Sequence, residues 1–304
     1  MVGVPRVPRE HVSRPRLLNR LDAATPLTVL RAPSGSGKSS LLAEWARQDV
    51  AVDGVWLNLT RADQCRETFW ATVATEVVAA GLAGSDSLLA GVPWALQRAA
   101  DAQRLLVRAV NQLGTPLMLV LDNFERVADP QVGQDICAVV RHCEHLSVVL
   151  ATRTRSAVED DAVGLLVDRT VIAAEELAFT EPEIAQVLAA DLLARRTGSP
   201  GDVARRIRDR TGGRPLLVRA LLMEARARSR PLTELRHVDQ LSGTILSDGI
   251  TRLLDTAADL RSFLLRTSVA DVVTPDLAAQ LAGTPDVAAH MEEAETLGLA
   301  VWLD

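Results

Sequence analysis

Three groups of side chains in this 304-residue sequence have the types and spacing for phosphate chemistry. The first lies in LTVLRAPSGSGKSSLL, residues 27–42, where an apolar run enters a glycine-rich turn and is followed by Lys38, Ser39 and Ser40. Such a turn points successive backbone N–H groups inward at a helix N-terminus, so that they and the helix dipole meet an anion at close range. Gly35 and Gly37 let the backbone approach, with Pro33, Ser34, Ser36 and Ser40 as the rest of the cradle. Lys38 is placed to reach the β- and γ-phosphates of a bound nucleotide, and the Ser39 hydroxyl to coordinate the Mg2+ that bridges them. The usual GxxxxGK[ST] pattern has glycine where this chain has Ala32. The setting compensates: Thr28, Val29 and Leu30 precede the turn as a strand would, and Leu41, Leu42 and Trp45 follow at helical spacing, flanks that a flexible Ser/Gly linker would not have.

The second group is Asp122, which closes the run PLMLVLD and is followed by Asn123. A carboxylate held at a strand end beside a Ser39-bound metal suits a Mg2+ ligand, direct or through water. The residue after it is the natural place for a group that prepares the attacking water. Asn123 can orient water through its amide but cannot take its proton, so slow hydrolysis is expected. Glu125, two residues on, is expected to point elsewhere unless the strand bends. The third group is Arg153, at the tip of LSVVLATR, where a guanidinium can pair with a γ-phosphate and so report its presence.

These tips need a scaffold that brings strand ends together. The β-rich runs at 28–30, 52–59, 116–122, 146–153 and 170–173 alternate with helical patterns, which predicts an α/β fold: a parallel sheet flanked by helices with right-handed crossovers, ligands binding beyond the carboxyl ends of the strands. The helical patterns include 132–144 and 96–113, with a Gly-, Ser- and Pro-rich loop expected over 81–93. Ahead of the first strand, Leu17, Leu18 and Leu21 form a short helical stripe that suits either a cover for the nucleotide base or a plain helix packed on the sheet. From Thr180 the chain reads as helices, starting near Glu181, near Asp202 with a stop at Gly212 and Gly213, and near Pro215. The arginines at 205, 206, 208, 210 and 214 alternate with acids and lack aromatic partners, so they read as a solvated helix face. Short helices at 250–254, 260–267, 275–281 and 287–297, then a β-rich end, follow the order of a winged helix. The expected domains are 1–178 for nucleotide binding, 179–230 helical, and 242–304 winged-helix-like and incomplete. The single β-rich run at 299–304 would lack a pairing partner, hence the expectation that a longer protein continues beyond Asp304.

The totals narrow the function classes. Hydrophobic residues make up 48% and charged residues 24%, as in ordinary globular proteins, and the net charge of −6 argues against nucleic-acid binding by the chain as a whole. With no apolar run of membrane length and no signal-peptide pattern, a cytoplasmic location is expected. Cys137, His142, Cys143 and His145 would fan around a helix and not converge on one metal ion.

The stretches RPRLLNRLDAATPLTVLRAPSGSGKSSLLAEWA, VWLNLTRAD with ETFW, LMLVLDNFERV, LATRTR and TGGRPLLVRALL together resemble the nucleotide-binding module of signal-transduction ATPases with numerous domains, in the large LuxR-type regulators related to the maltose activator. Ala32 at the head of the loop fits that family. The resemblance implies that Arg14 and Pro215 contact the nucleotide, Pro215 packing on adenine, and that Arg153 is the sensor arginine. The family often has a second acid after the magnesium aspartate, where this chain has Asn123. The reading that follows is an ATP-dependent switch, off with ADP and on with ATP, the nucleotide held between the first two domains. Sensor and DNA-binding parts would lie outside this chain, and the ATP state would be competent to self-associate. A stand-alone P-loop ATPase enzyme is the alternative, although no acceptor site or arginine finger can be located for it.

Overall fold

The run LMLVLD is buried at all six residues, as only a strand covered on both faces can be. The computed structural model describes residues 1–8, 11–23, 25–48, 53–96, 102–190, 200–227, 238–239, 258–270, 272–284 and 286–297. The chain divides into two compact units, one of Met1–Ala32 with Lys38–Ala173, the other of Pro33–Gly37 with Ala174–Asp304.

In the first unit, strands β1 (Leu27–Arg31), β2 (Gly54–Asn58), β3 (Leu117–Asp122), β4 (Leu146–Thr152) and β5 (Arg169–Ile172) form one sheet in the order β2-β3-β4-β1-β5. Every pairing is parallel, as the strand-helix alternation predicts. The register aligns the carboxyl ends: Asn58 lies opposite Asp122, Asp122 opposite Ala151, and Arg31 opposite Thr152. β2 reads as an alternating strand, yet Trp56 is buried as fully as Val55 and Leu57, so this strand too is covered on both faces.

Helix Arg66–Ala79 buries Phe69, Trp70, Val73 and Val77 in the core with Val55, Leu57, Leu119 and Leu121. Helix Pro130–His142 starts on Asp129, whose side chain accepts from the Gln131 N–H at 2.9 Å, with proline in the first turn where no amide donor is needed. The loop expected over 81–93 is a loop only in part. Helix Leu88–Leu96 occupies its end because Leu89 and Val92 bury completely in the core shared with Leu106, and tertiary burial outweighs local Gly and Pro content. A second helix, Ala102–Asn111, follows.

In the second unit, helix Glu181–Ala190 is capped reciprocally: the Thr180 N–H donates to Glu183 Oε2 at 2.8 Å, and the Glu183 N–H to Thr180 Oγ1 at 3.4 Å. Helices Pro200–Thr211 and Pro215–Ala227 flank the Gly212-Gly213 stop. Of the arginine run, Arg206 and Arg210 both donate to Asp239, at 2.6 to 2.8 Å, and Arg205 faces Glu181 and Asp202. Three further helices, Ala258–Thr267, Pro275–Ala282 and Val287–Leu297, bury Leu260, Phe263, Ala278, Ala282, Val287 and Ala294 together. The helix expected at 250–254 and the β-rich run at 299–304 lie outside the described residues. Among the described residues no helix is long and apolar enough to cross a membrane.

Candidate nucleotide site

In the first unit the predicted chemistry gathers at the carboxyl ends of β1, β3 and β4. Lys38, first residue of helix Lys38–Trp45, is buried at 9% exposure, and its Nζ donates to the Ala32 carbonyl. Ala32 extends the β1–β4 ladder by one bond, its N–H donating to the Thr152 carbonyl at 3.2 Å. Burial pulls the Lys38 ammonium down from its ordinary 10.5 to about 8. Glu125 opposes this most strongly among the charged neighbours; Arg153 adds to it, and Asp122 opposes it more weakly. Lys38 is thus a buried cation whose charge is opposed by desolvation and a guanidinium and supported by two carboxylates.

Asp122 is 6% exposed, and its Oδ1 accepts the Asn123 N–H at 3.0 Å. Asn123 itself sits in the left-handed region at φ 60, the only non-glycine residue at positive φ among the described residues, and its Nδ2 donates to Asn58 Oδ1 at 2.7 Å. Asparagine tolerates that conformation better than most residues because its short amide bonds locally. The turn sends the chain into a single 3-10 turn, Phe124–Arg126, with Phe124 buried edge-on to Phe69 at 6.4 Å between ring centres.

This bend is the condition under which the sequence reading has Glu125 turn toward the site. Its side chain does not point away: Oε1 lies 3.0 Å from Arg153 Nε, and its charge reaches Lys38 more strongly than that of Asp122. The signal was present in the sequence as an Asn directly after a strand-ending acid, a residue type suited to reversing the chain. Arg153 stands just beyond β4, as predicted, with Glu125 as its partner.

The glycine turn belongs by its contacts to the second unit. Gly35 and Gly37 both have φ 80, closed to ordinary side chains. A Cβ on Gly35 would stand 2.6 Å from the Leu216 Cβ, and the Gly35 carbonyl accepts the Leu216 N–H at 3.0 Å. Ser36 folds back on the turn, its Oγ donating to the Pro33 carbonyl at 2.8 Å. Within this unit a cleft of about 200 Å³ is lined by Pro33, Ser36, Ala174, Ala178, Arg214 and Pro215, with Glu175 in its wall. Pro215 is buried at the start of its helix. That volume is below the ~300–1,000 Å³ of sites that enclose a whole small ligand, so it has room for a part such as a base.

The remaining predicted residues are spread more widely. Ser34 is exposed, and Ser39 and Ser40 are half-buried on the first turn of their helix. Arg14 is 1% exposed, and its carbonyl accepts the N–H groups of Leu17 and Leu18 where helix Pro15–Asp22 begins.

A parallel sheet whose glycine turn leads into a lysine, with an acid and an arginine at neighbouring strand tips, defines a P-loop nucleoside triphosphatase fold. Residues 15–151 match the AAA ATPase domain, and residues 253–302 match the MalT winged helix domain. A Walker-type ATPase of Pyrococcus abyssi has the same fold, with a TM-score of 0.56 at 13% identity over 96% of this chain and 92% of that one.

The chain is homologous to the MalT transcriptional regulators. It is 25% identical over 300 residues to the HTH-type transcriptional regulator MalT of Yersinia pestis (strain Pestoides F), and 26% over 301 residues to that of Serratia proteamaculans (strain 568). In both cases the match covers 95% of this chain and 32% of the relative, so the chain spans about a third of their length.

Proposed function

We propose that the chain binds ATP or ADP and acts as the nucleotide-dependent switch of a cytoplasmic transcriptional regulator. The observation that carries this reading is the charged group at the strand tips, Lys38, Asp122, Glu125 and Arg153, next in the chain to a turn with glycine at φ 80 twice. Lys38 meets the β- and γ-phosphates, and the backbone of Pro33 to Ser40 wraps them. The base lies against Pro33 and Pro215, where the cleft is small and partly apolar. Arg14 steadies the nucleotide from the chain ahead of β1.

Ser39 and Asp122 would hold Mg2+. A hydroxyl and a buried carboxylate are the hard oxygen donors that ion takes, and the Asp122 carboxylate, at 6% exposure, is fixed by the Asn123 N–H on its Oδ1. When bound, the ion draws charge from the β- and γ-oxygens; the protein's own part is to fix its two ligands and bring Lys38 alongside.

The working division is 1–178 for nucleotide binding, 179–230 helical and 242–304 winged-helix-like. Exchange of ADP for ATP shifts an equilibrium between two states of the chain, the ATP state competent to self-associate, and slow hydrolysis resets it. DNA contact belongs to parts of the regulator outside this chain.

Limited proteolysis tests this directly, with the chain incubated with Mg2+ and either ADP or a non-hydrolysable ATP analogue. Different cleavage patterns are expected. Identical patterns with both nucleotides demonstrably bound would refute the switch.

A further inference from the structure

The Glu125 carboxylate lies among the charged groups at the strand tips, and the reading above gives it no task. Its side chain is 11% exposed, and while Oε1 pairs with Arg153 Nε at 3.0 Å, Oε2 is buried with no hydrogen-bond partner among the described residues. An oxygen left so bears the cost of its desolvation uncompensated, the more so when charged, and a fold without use for it would replace the residue by an amide or an apolar group. The backbone goes to some length to place it: Asn123 takes φ 60 and the chain doubles back through Phe124–Arg126. Resting on the proposed nucleotide site, we propose that Glu125 prepares the water that attacks the γ-phosphate. Arg153 would then exchange Glu125 for that phosphate when a triphosphate is bound.

The chemistry closes on this chain's residues. The water oxygen forms its bond to the γ-phosphorus as the bond from that phosphorus to the bridging oxygen breaks. The electron pair of the broken bond stays on ADP, and the water proton goes to the Glu125 carboxylate, so ATP and water give ADP and inorganic phosphate. Asn123 has no basic atom for that proton, and its amide is already engaged by Asn58. Without a third phosphate, Arg153 neutralises Glu125. A phosphate oxygen is the stronger partner for a guanidinium, and its arrival releases the carboxylate only when there is a bond to cleave.

The exchange makes a prediction separable from rate. Glu125→Gln keeps the side chain's size but removes the competitor for Arg153, so affinity for a non-hydrolysable ATP analogue should rise about fivefold relative to ADP, the scale of one partly buried ion pair. Single-turnover hydrolysis should fall by a factor of about 100 or more, the usual contribution of a general base. Replacing Arg153 by Ala in the same chain should abolish the gain for the analogue. Should Glu125→Gln fold poorly, Glu125→Asp retains the charge but withdraws the carboxylate, and should lose rate while leaving the affinity ratio near wild type. Titration calorimetry with both nucleotides and quenched single turnovers measure all of these. An unchanged affinity ratio, or equal losses for both nucleotides, would reduce Glu125 to a structural partner of Arg153 and overturn the proposal. Wild-type chain that binds neither nucleotide would overturn the nucleotide site as well.

Discussion

Lys38 is a site where function and stability oppose each other, and Lys38→Met should expose both sides. Burial at 9% exposure takes its ammonium from 10.5 to about 8 even with Glu125 and Asp122 nearby. At about 1.4 kcal/mol per tenfold, the protonated form costs the empty fold about 3 kcal/mol. The sign follows from linkage: the folded value lies below the unfolded one, so the penalty is complete below pH 8 and is relieved as pH rises from 8 towards 10.5. Methionine has nearly the same length and no charge. It gives up the bond to the Ala32 carbonyl, worth about 1.5–3 kcal/mol for a charged donor, so the variant without nucleotide should come out about 0–1.5 kcal/mol more stable at pH 7. In the same variant nucleotide affinity should drop by at least about 2 kcal/mol, because a charge-assisted contact with the phosphates is gone. Urea denaturation without nucleotide at pH 7 and pH 10, with calorimetric titration of ATP, checks the three numbers. A variant less stable than wild type at pH 7, or one that binds ATP unchanged, would refute the view of Lys38 as a strained cation reserved for phosphate.

Two further substitutions probe other parts of the site and its frame. Asp122→Ala should leave ADP binding without Mg2+ nearly intact and remove the Mg2+-dependent gain in affinity, which parallel titrations with and without the ion would show. Asp135→Ala should destabilise the first unit by about 3–5 kcal/mol without touching the nucleotide. Asp135 is fully buried, accepts both arms of Arg66 at 2.6 and 2.7 Å and the Trp70 indole N–H at 3.1 Å, and its loss leaves the half-buried guanidinium and the buried indole N–H without their acceptor; a midpoint shift in denaturant measures it.

Much of the frame was legible because it is written in short-range patterns. An apolar run such as that of β3 admits little except a strand covered on both faces, and glycines spaced two apart before a lysine and serine read as a phosphate turn without any tertiary information. What escaped depends on pairs far apart in sequence. Leu89 and Val92 become helical through burial against a core assembled from several strands, so their Gly- and Pro-rich surroundings gave the wrong local answer. Arg66 and Asp135, 69 residues apart, carry no shared motif. Arg153 was legible as a strand-tip guanidinium, whereas its partner depended on a reversal of the chain that strand periodicity cannot register.

That reversal also bears on why an asparagine follows Asp122. With φ at 60, position 123 is restricted to residues that accept the left-handed region, and a long acid there would carry backbone strain as well as a charge facing the Asn58 amide oxygen. Placing the acid at 125 separates two demands that one residue would otherwise have to meet. Asn123 shapes the turn and ties β3 to the tip of β2, and the charge of Glu125 supports that of Lys38. The arrangement has a kinetic consequence. Under the proposed roles, a carboxylate held by Arg153 would act only after that ion pair is broken, so hydrolysis would be gated by an exchange of partners as well as by the chemical step, as the proposed switch requires.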